Sequence, residues 1–147
     1  MEHPTDIPGV VMVDDNVLAT TAMERRFTES PDLRWLGSTS DPSAALGLVG
    51  KLSPAVLLLD VDMPGVDTIA LLRQLLVEHP DVAVVMFSGL DRIGFMEQAL
   101  NEGAAGYIHK DEPTAVIVNL IRRAARGDYV LSPLASQIYM RGVDAEA

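Results

Sequence analysis

Cysteine is absent from the 147 residues, which excludes disulfide bonds, thiol catalysis and cysteine-bound zinc, and suits a reducing compartment. Histidine is scarce and scattered: His3, His79 and His109 make no ligand spacing. Bases are outnumbered, 11 against 21 acids, for a formal charge of -10. A phosphate backbone repels such a chain, so direct nucleic-acid binding by these residues is not expected. No apolar run reaches membrane-spanning length, and the first residues, MEHPTDIPG, carry acids and two prolines where a secretory leader has a basic and then an apolar segment. The expected location is the cytoplasm, away from any membrane. Internal repeats and low-complexity tracts are also missing. What is present, 48% hydrophobic residues, suits one compact domain whose core needs no staples.

The stretch VLLLDVDMPG, Val56 to Gly65, organises the rest. Its branched apolar run lies between Ser53-Pro54 and Pro64-Gly65, as a strand covered on both faces would. Around it the chain alternates strand and helix. Val10 to Val13 opens onto Asp14 and Asp15, and a helix from Asn16 to Glu29 follows. Leu33 to Gly37 is the least marked strand, and Asp41-Pro42 starts a helix to about Leu52. Thr68 to His79 has helical spacing and stops at Pro80; Val82 to Phe87 is a fourth buried strand; Arg92 to Asn101 is a helix closed by Gly103. Gly106 to His109 is a short fifth strand, and a last helix, with Pro113 in its first turn, runs to Arg126. Four apolar positions on that helix, Val116, Ile117, Leu120 and Ile121, exceed one stripe and would leave some surface for a partner.

Five strands alternating with five helices imply an α/β flavodoxin-like three-layer sandwich, a (βα)5 fold whose parallel sheet has the order 2-1-3-4-5. The domain would span 9–127, leaving 128–147 as an extension: a short helix or the start of a linker. In such a sheet the carboxyl ends of the strands line the crevice where chemistry occurs. Those ends would gather Asp14, Asp15, Asp60, Ser88 and Lys110. Crowded carboxylates cannot all ionise comfortably, so one pKa rises or a cation compensates, and magnesium suits an all-oxygen donor set. Asp15 and Asp60 would be direct ligands and Asp14 direct or through water. With Lys110, the site is poised to place a phosphoryl group on Asp60, with Ser88 donating to one of its oxygens.

VMVDDN, LLLDVDMPG, VVMFSG and GYIHKD, in that order over roughly 9–127, resemble the receiver domains of two-component response regulators. The resemblance implies that Asp60 accepts phosphate from a phosphohistidine of a sensor histidine kinase or phosphotransfer protein. It implies that Asp14 and Asp15 hold Mg2+ with the backbone carbonyl of Asp62, that Lys110 binds phosphate, and that Ser88 and Tyr107 form a switch pair. Phosphorylation would then draw Ser88 toward the phosphoryl group, bias Tyr107 inward and remodel the face of the fourth helix, fifth strand and fifth helix, with a homodimer as one outcome. Asp111, where many receivers have proline, and the later YVLSP resemble receivers that precede a LuxR-type helix-turn-helix domain. Transcription regulation is therefore the implied output, through a domain outside these residues; a receiver acting alone through protein contacts is the alternative. Thr68 stands where the family more often has glycine, which bears on loop stiffness. Asp62 adds a negative side chain at the mouth of the site.

Each of these residues has a plainer reading: Asp15, Asn16 or Ser88 as a helix cap, Lys110 as surface charge, Tyr107 as a strand aromatic, Trp35 as packing. Their joint occurrence favours the site. A haloacid dehalogenase-like phosphatase, with Asp60 as nucleophile and Asp62 as general acid, would use the same DVD but leaves Asp14 and Asp15 without a role. A pseudo-receiver that binds partners without phosphate sits poorly with an intact acid set.

Overall fold

The computed structural model describes residues 7–146. His3 and the residues read for a leader before Ile7 lie outside that range. Six parallel strands form one sheet in the order β2-β1-β3-β4-β5-β6. They are β1 (Gly9–Val13), β2 (Arg34–Thr39), β3 (Val56–Asp60), β4 (Ala83–Ser88), β5 (Gly106–His109) and β6 (Val130–Leu131). The helices are α1 (Val17–Thr28), α2 (Ala45–Leu52), α3 (Thr68–Glu78), α4 (Ile93–Glu102), α5 (Thr114–Ala125) and α6 (Pro133–Glu146).

Alternation along the buried strands builds two cores. Val11, Val13, Leu57, Leu59, Val84 and Met86 face α2, α3 and α4, where Val49, Leu72 and Met96 fill the space. Val10, Met12, Leu58, Val85 and Phe87 face α1 and α5, meeting Phe27, Ile117 and Ile121. Every residue of β1 and β3 is buried, which is why both read as unbroken apolar runs. Trp35 stacks on Phe27 at 5.7 Å between centroids, a packing role.

The expected layers and the order 2-1-3-4-5 are present, with three corrections. First, beside the short helix expected of the extension, which is α6, the sheet gains a strand that was not expected. This sixth strand, β6, lies beside β5, and α6 places Ala135 and Ile138 in the core that holds Met96 and Tyr107. The α6 backbone comes so close to α4 that a Cβ on Gly142 would meet Ile93 Cγ1 at 2.6 Å. Second, the second helix begins with a separate 3-10 turn, Pro42–Ala44, capped by Asp41. Pro113 likewise precedes α5 as its cap residue and is not in the first turn. Third, Ile117, Leu120 and Ile121 are buried and Val116 packs on the same core, so these four positions leave no apolar stripe for a partner.

Candidate functional site

Parallel registration sets the carboxyl ends of the central strands level. Val13 pairs with Leu59, Asp60 with Phe87 and Ser88 with His109, so the residues at or just past those ends share one edge of the sheet. Asp14, Asp60 and Ser88 are all buried there, while Asp15 is exposed at the rim. Asn16, not Asp15, caps α1: its side chain accepts the N–H groups of Leu18 and Ala19 at 3.0 and 3.2 Å. That leaves the Asp15 carboxylate unneeded by the helix. Asp14 is fixed by the Asn16 N–H, which donates to its Oδ1 at 2.8 Å.

Lys110, just past β5, reaches across the ends of β4 and β3. Its Nζ lies 2.8 Å from Asp60 Oδ1, 3.5 Å from Asp14 Oδ2 and 3.8 Å from Asp62 Oδ2. Its backbone N–H donates to the Ser88 carbonyl at 2.8 Å, and its ammonium lies 5.6 Å from the centre of the Phe87 ring. Burial works against this charge. The hydrogen bond to Asp60 and the charges of Asp14, Asp60 and Asp62 outweigh it and hold the lysine above its usual pKa. Burial also pushes Asp14 up to about 6, aided by the charge of Asp60 and opposed by the Asn16 amide and Lys110.

Carboxylate oxygens of Asp14, Asp15 and Asp60 lie within 4.8 Å of one another. Asp14 Oδ2 and Asp60 Oδ2 are buried without a hydrogen-bond partner. One lysine ammonium cannot satisfy three acids and two orphaned oxygens. The donor set is all oxygen, which fits a hard divalent cation that keeps part of its water shell.

Asp62 differs from the role expected for it. Its side chain does not merely stand at the mouth: Oδ1 accepts the Ser88 hydroxyl at 2.8 Å and Oδ2 accepts the Gly89 N–H at 2.7 Å. Tyr107 is 1% exposed, its ring in the core shared with Met96 and Ile138. Its hydroxyl has no hydrogen-bond partner, and burial raises its pKa, against a smaller opposing effect of Ser88. Thr68, at the departure from glycine, is buried as the first residue of α3, and the preceding Asp67 caps that helix by accepting from Ala70.

A second set of polar contacts, unanticipated in the sequence, ties the site to the extension. The His109 N–H donates to Ser132 Oγ at 3.0 Å, and buried Glu112 accepts the Leu134 N–H at 2.7 Å. Ser132 also accepts from Ala135 and so caps α6. The pair Ser132-Pro133 is a helix-start signal that was readable in sequence; the partner of Glu112, 22 residues away, was not.

The model of the response regulator receiver domain matches residues 10–122. Response regulator GacA of Pseudomonas viridiflava is 34% identical over 128 residues, covering 87% of this chain and 60% of that protein. The nitrate/nitrite response regulator NarL of Escherichia coli K12 is 28% identical over 84% of this chain and 57% of its own. The chain thus spans about three fifths of these curated relatives. Among solved structures, the signal receiver domain of the putative response regulator NarL from Mycobacterium tuberculosis superposes with a TM-score of 0.76 at 32% identity, over 82% of this chain and 97% of that one. A LuxR-family response regulator from an Aurantimonas species shares the fold at a TM-score of 0.85 and 21% identity, over 93% of this chain and 98% of that one.

Proposed function

The chain belongs to the response regulator receiver family, a signalling family, and on that premise we propose that Asp60 takes a phosphoryl group from a phosphohistidine and passes the signal to an output unit. The observation that carries this reading is the setting of Asp60: buried at the end of β3, with a lysine ammonium 2.8 Å from Oδ1 and with Oδ2 unpartnered. In the transfer a P–N bond of the donor breaks and a P–O bond to the Asp60 carboxylate forms. Oδ1 is held by Lys110 and by the Asp62 N–H at 2.9 Å, which fixes the carboxylate plane against the incoming phosphorus. Lys110 and the Ser88 hydroxyl supply charge and a hydrogen bond to the phosphoryl oxygens.

Asp14, Asp15 and Asp60, with the Asp62 carbonyl, are the residues that would hold Mg2+. When bound, the ion neutralises the acid cluster and the charge that develops on the phosphoryl oxygens. The protein's share is positioning, and its own chemistry is confined to acquiring and losing this one group. The phosphatase alternative asks for a free Asp62 acid, whereas both Asp62 oxygens are held by Ser88 and Gly89.

The donor would be a sensor histidine kinase or phosphotransfer protein. Val17 and Leu18, at 63% and 82% exposure on the first turn of α1, give it an apolar step beside the acidic pair. As output we propose transcription regulation, exerted through a DNA-binding unit and not by this acidic surface, in a cytoplasmic, membrane-free setting with a homodimer as one form; the likeness to the response regulators GacA and NarL supports the signalling part of this reading. Among the described residues no helix is long and apolar enough to cross a membrane. The receiver unit proper is 9–127, with the following β6 and the first part of α6 packed onto it. Acetyl phosphate with Mg2+ should add one phosphoryl mass to the protein and none to Asp60→Asn. Equal incorporation in the variant, or none in the parent, defeats the assignment.

A further inference from the structure

The Asp62 carboxylate sits on Ser88 and Lys110, the donors assigned above to a phosphoryl group on Asp60, and on the adjoining Gly89 N–H. The Ser88 hydroxyl and the Gly89 N–H donate to its two oxygens at 2.8 and 2.7 Å, and the Lys110 ammonium stands 3.8 Å from Oδ2. A hydroxyl, an amide and an ammonium converging on one anion form an oxyanion seat. The loop that carries this anion starts at Asp60 itself, whose Oδ1 accepts the Asp62 N–H at 2.9 Å. We infer that the Asp62 carboxylate is an internal occupant of the phosphoryl-oxygen seat, holding Ser88, Gly89 and Lys110 until a phosphoryl group on Asp60 displaces it.

The inference rests on Asp60 being the acceptor. It follows from charge and valence: Ser88 has one hydroxyl proton and Gly89 one amide proton, and both are spent on Asp62. An arriving phosphoryl group must therefore break two charge-assisted bonds and approach a like charge. The displaced side chain has room. It is already 18% exposed and lines an adjoining cavity of about 560 Å³ with Arg92 and Phe95. Asp62 is thus a positioning residue that sets the threshold for occupancy of the site, and it holds Ser88 in place while the site waits.

The test is beryllofluoride titration with Mg2+, followed through the Gly89 amide in 1H–15N spectra of the parent, Asp62→Asn and Asp62→Ala. Asparagine keeps the shape and removes the charge. Both variants should bind beryllofluoride about tenfold tighter or more, since hydrogen bonds to charged groups exceed neutral ones by roughly this factor. Before titration the Gly89 amide should shift upfield in both variants, and at saturation it should converge on one position in all three proteins. Affinity equal to or below the parent's in both variants overturns the inference while leaving Asp60 as acceptor. Loss of binding in all three, matched by Asp60→Asn, overturns the acceptor reading and this inference together. Binding by the variants alone supports both, with the parent blocked by its own carboxylate.

Discussion

Lys110 Nζ and Asp60 Oδ1 stand 2.8 Å apart at the end of β3, where Asp60 is 1% exposed, so this cation is the direct partner of a buried carboxylate. The same ammonium lies 3.5 Å from Asp14. Lys110→Met should therefore strand two buried acids. At neutral pH without magnesium the loss of stability should be about 2 kcal/mol, less than the roughly 3–5 kcal/mol for breaking a fully buried pair because Lys110 is partly solvated. Urea unfolding measures it. Added magnesium should recover part of the loss, whereas phosphoryl uptake from acetyl phosphate should stay depressed.

Asp14 supplies a pH dependence with a definite sign. Its folded pKa of about 6 lies above the ordinary 3.8, so between these values the folded state holds more protons than the unfolded one. The Asp14 contribution to stability is therefore greatest below that window and declines as pH rises through it. Asp32 and Glu102, whose pKa values are lowered by Arg122 and Arg73, slope the other way. The clean measurement is the difference between the parent and Asp14→Asn, without metal, from pH 4 to 7. The parent should gain stability relative to the variant as pH falls.

Magnesium should be bound weakly, with water filling most of its shell, and Asp15→Ala should abolish binding without harm to α1, because Asn16 is the cap. Since the ion competes with the Asp14 proton, affinity should weaken about tenfold per pH unit well below pH 6. Calorimetric titration at two pH values checks both statements. Unchanged affinity in Asp15→Ala would show that the exposed acid is no ligand.

The site was legible in sequence because each of its members ends or closely follows a buried strand. Val56 to Leu59 reads as a covered strand, and although an Asp after a strand often only makes a turn or caps a helix, the company of Asp14, Asp15, Ser88 and Lys110 pointed Asp60 to the crevice. The second strand was harder: Arg34–Thr39 sits at the sheet edge with no fully buried residue, so periodicity said little and its end was misplaced. Asp62 was identified by position but not by contact, since its partner Ser88 is 26 residues away and only the fold brings them together. The same limit hid β6. Two residues carry no period, and what fixes them is a register against Gly106 and Tyr107.

Ser88→Ala should separate the two jobs of that hydroxyl. It removes the donor to Asp62 Oδ1 and leaves the Gly89 N–H on Oδ2. The Tyr107 ring, buried against the same core, should then lose its response to beryllofluoride in NMR spectra while the protein stays folded. A full response in Ser88→Ala would mean that the signal leaves Asp60 through Lys110 and β5 alone.

Gly106 is where the extension can be detached without truncating the chain. A Cβ there would stand 2.4 Å from both the carbonyl oxygen and Cγ2 of Val130, a backbone clash that no rotamer change relieves. Gly106→Ala must push β6 off the β5 edge, and break the bonds from the Ser132 N–H to the Tyr107 carbonyl and from the His109 N–H to Ser132 Oγ. Because Ser132 also caps α6, the helix loses its start, and Ala135 and Ile138 leave the core shared with Met96 and Tyr107. Ile138→Ala alone, a core truncation with the backbone intact, should cost about 2–4 kcal/mol. Gly106→Ala should cost at least as much, expose the β5 edge to self-association, and release the Val130 and Ser132 amides to fast hydrogen exchange. If those amides stay protected in Gly106→Ala, β6 is held from the α6 side, through Glu112 and the α4 contact, and the strand pairing is secondary. The two anchors can be told apart by Glu112→Gln, which weakens the bond to Leu134 and leaves β6 untouched.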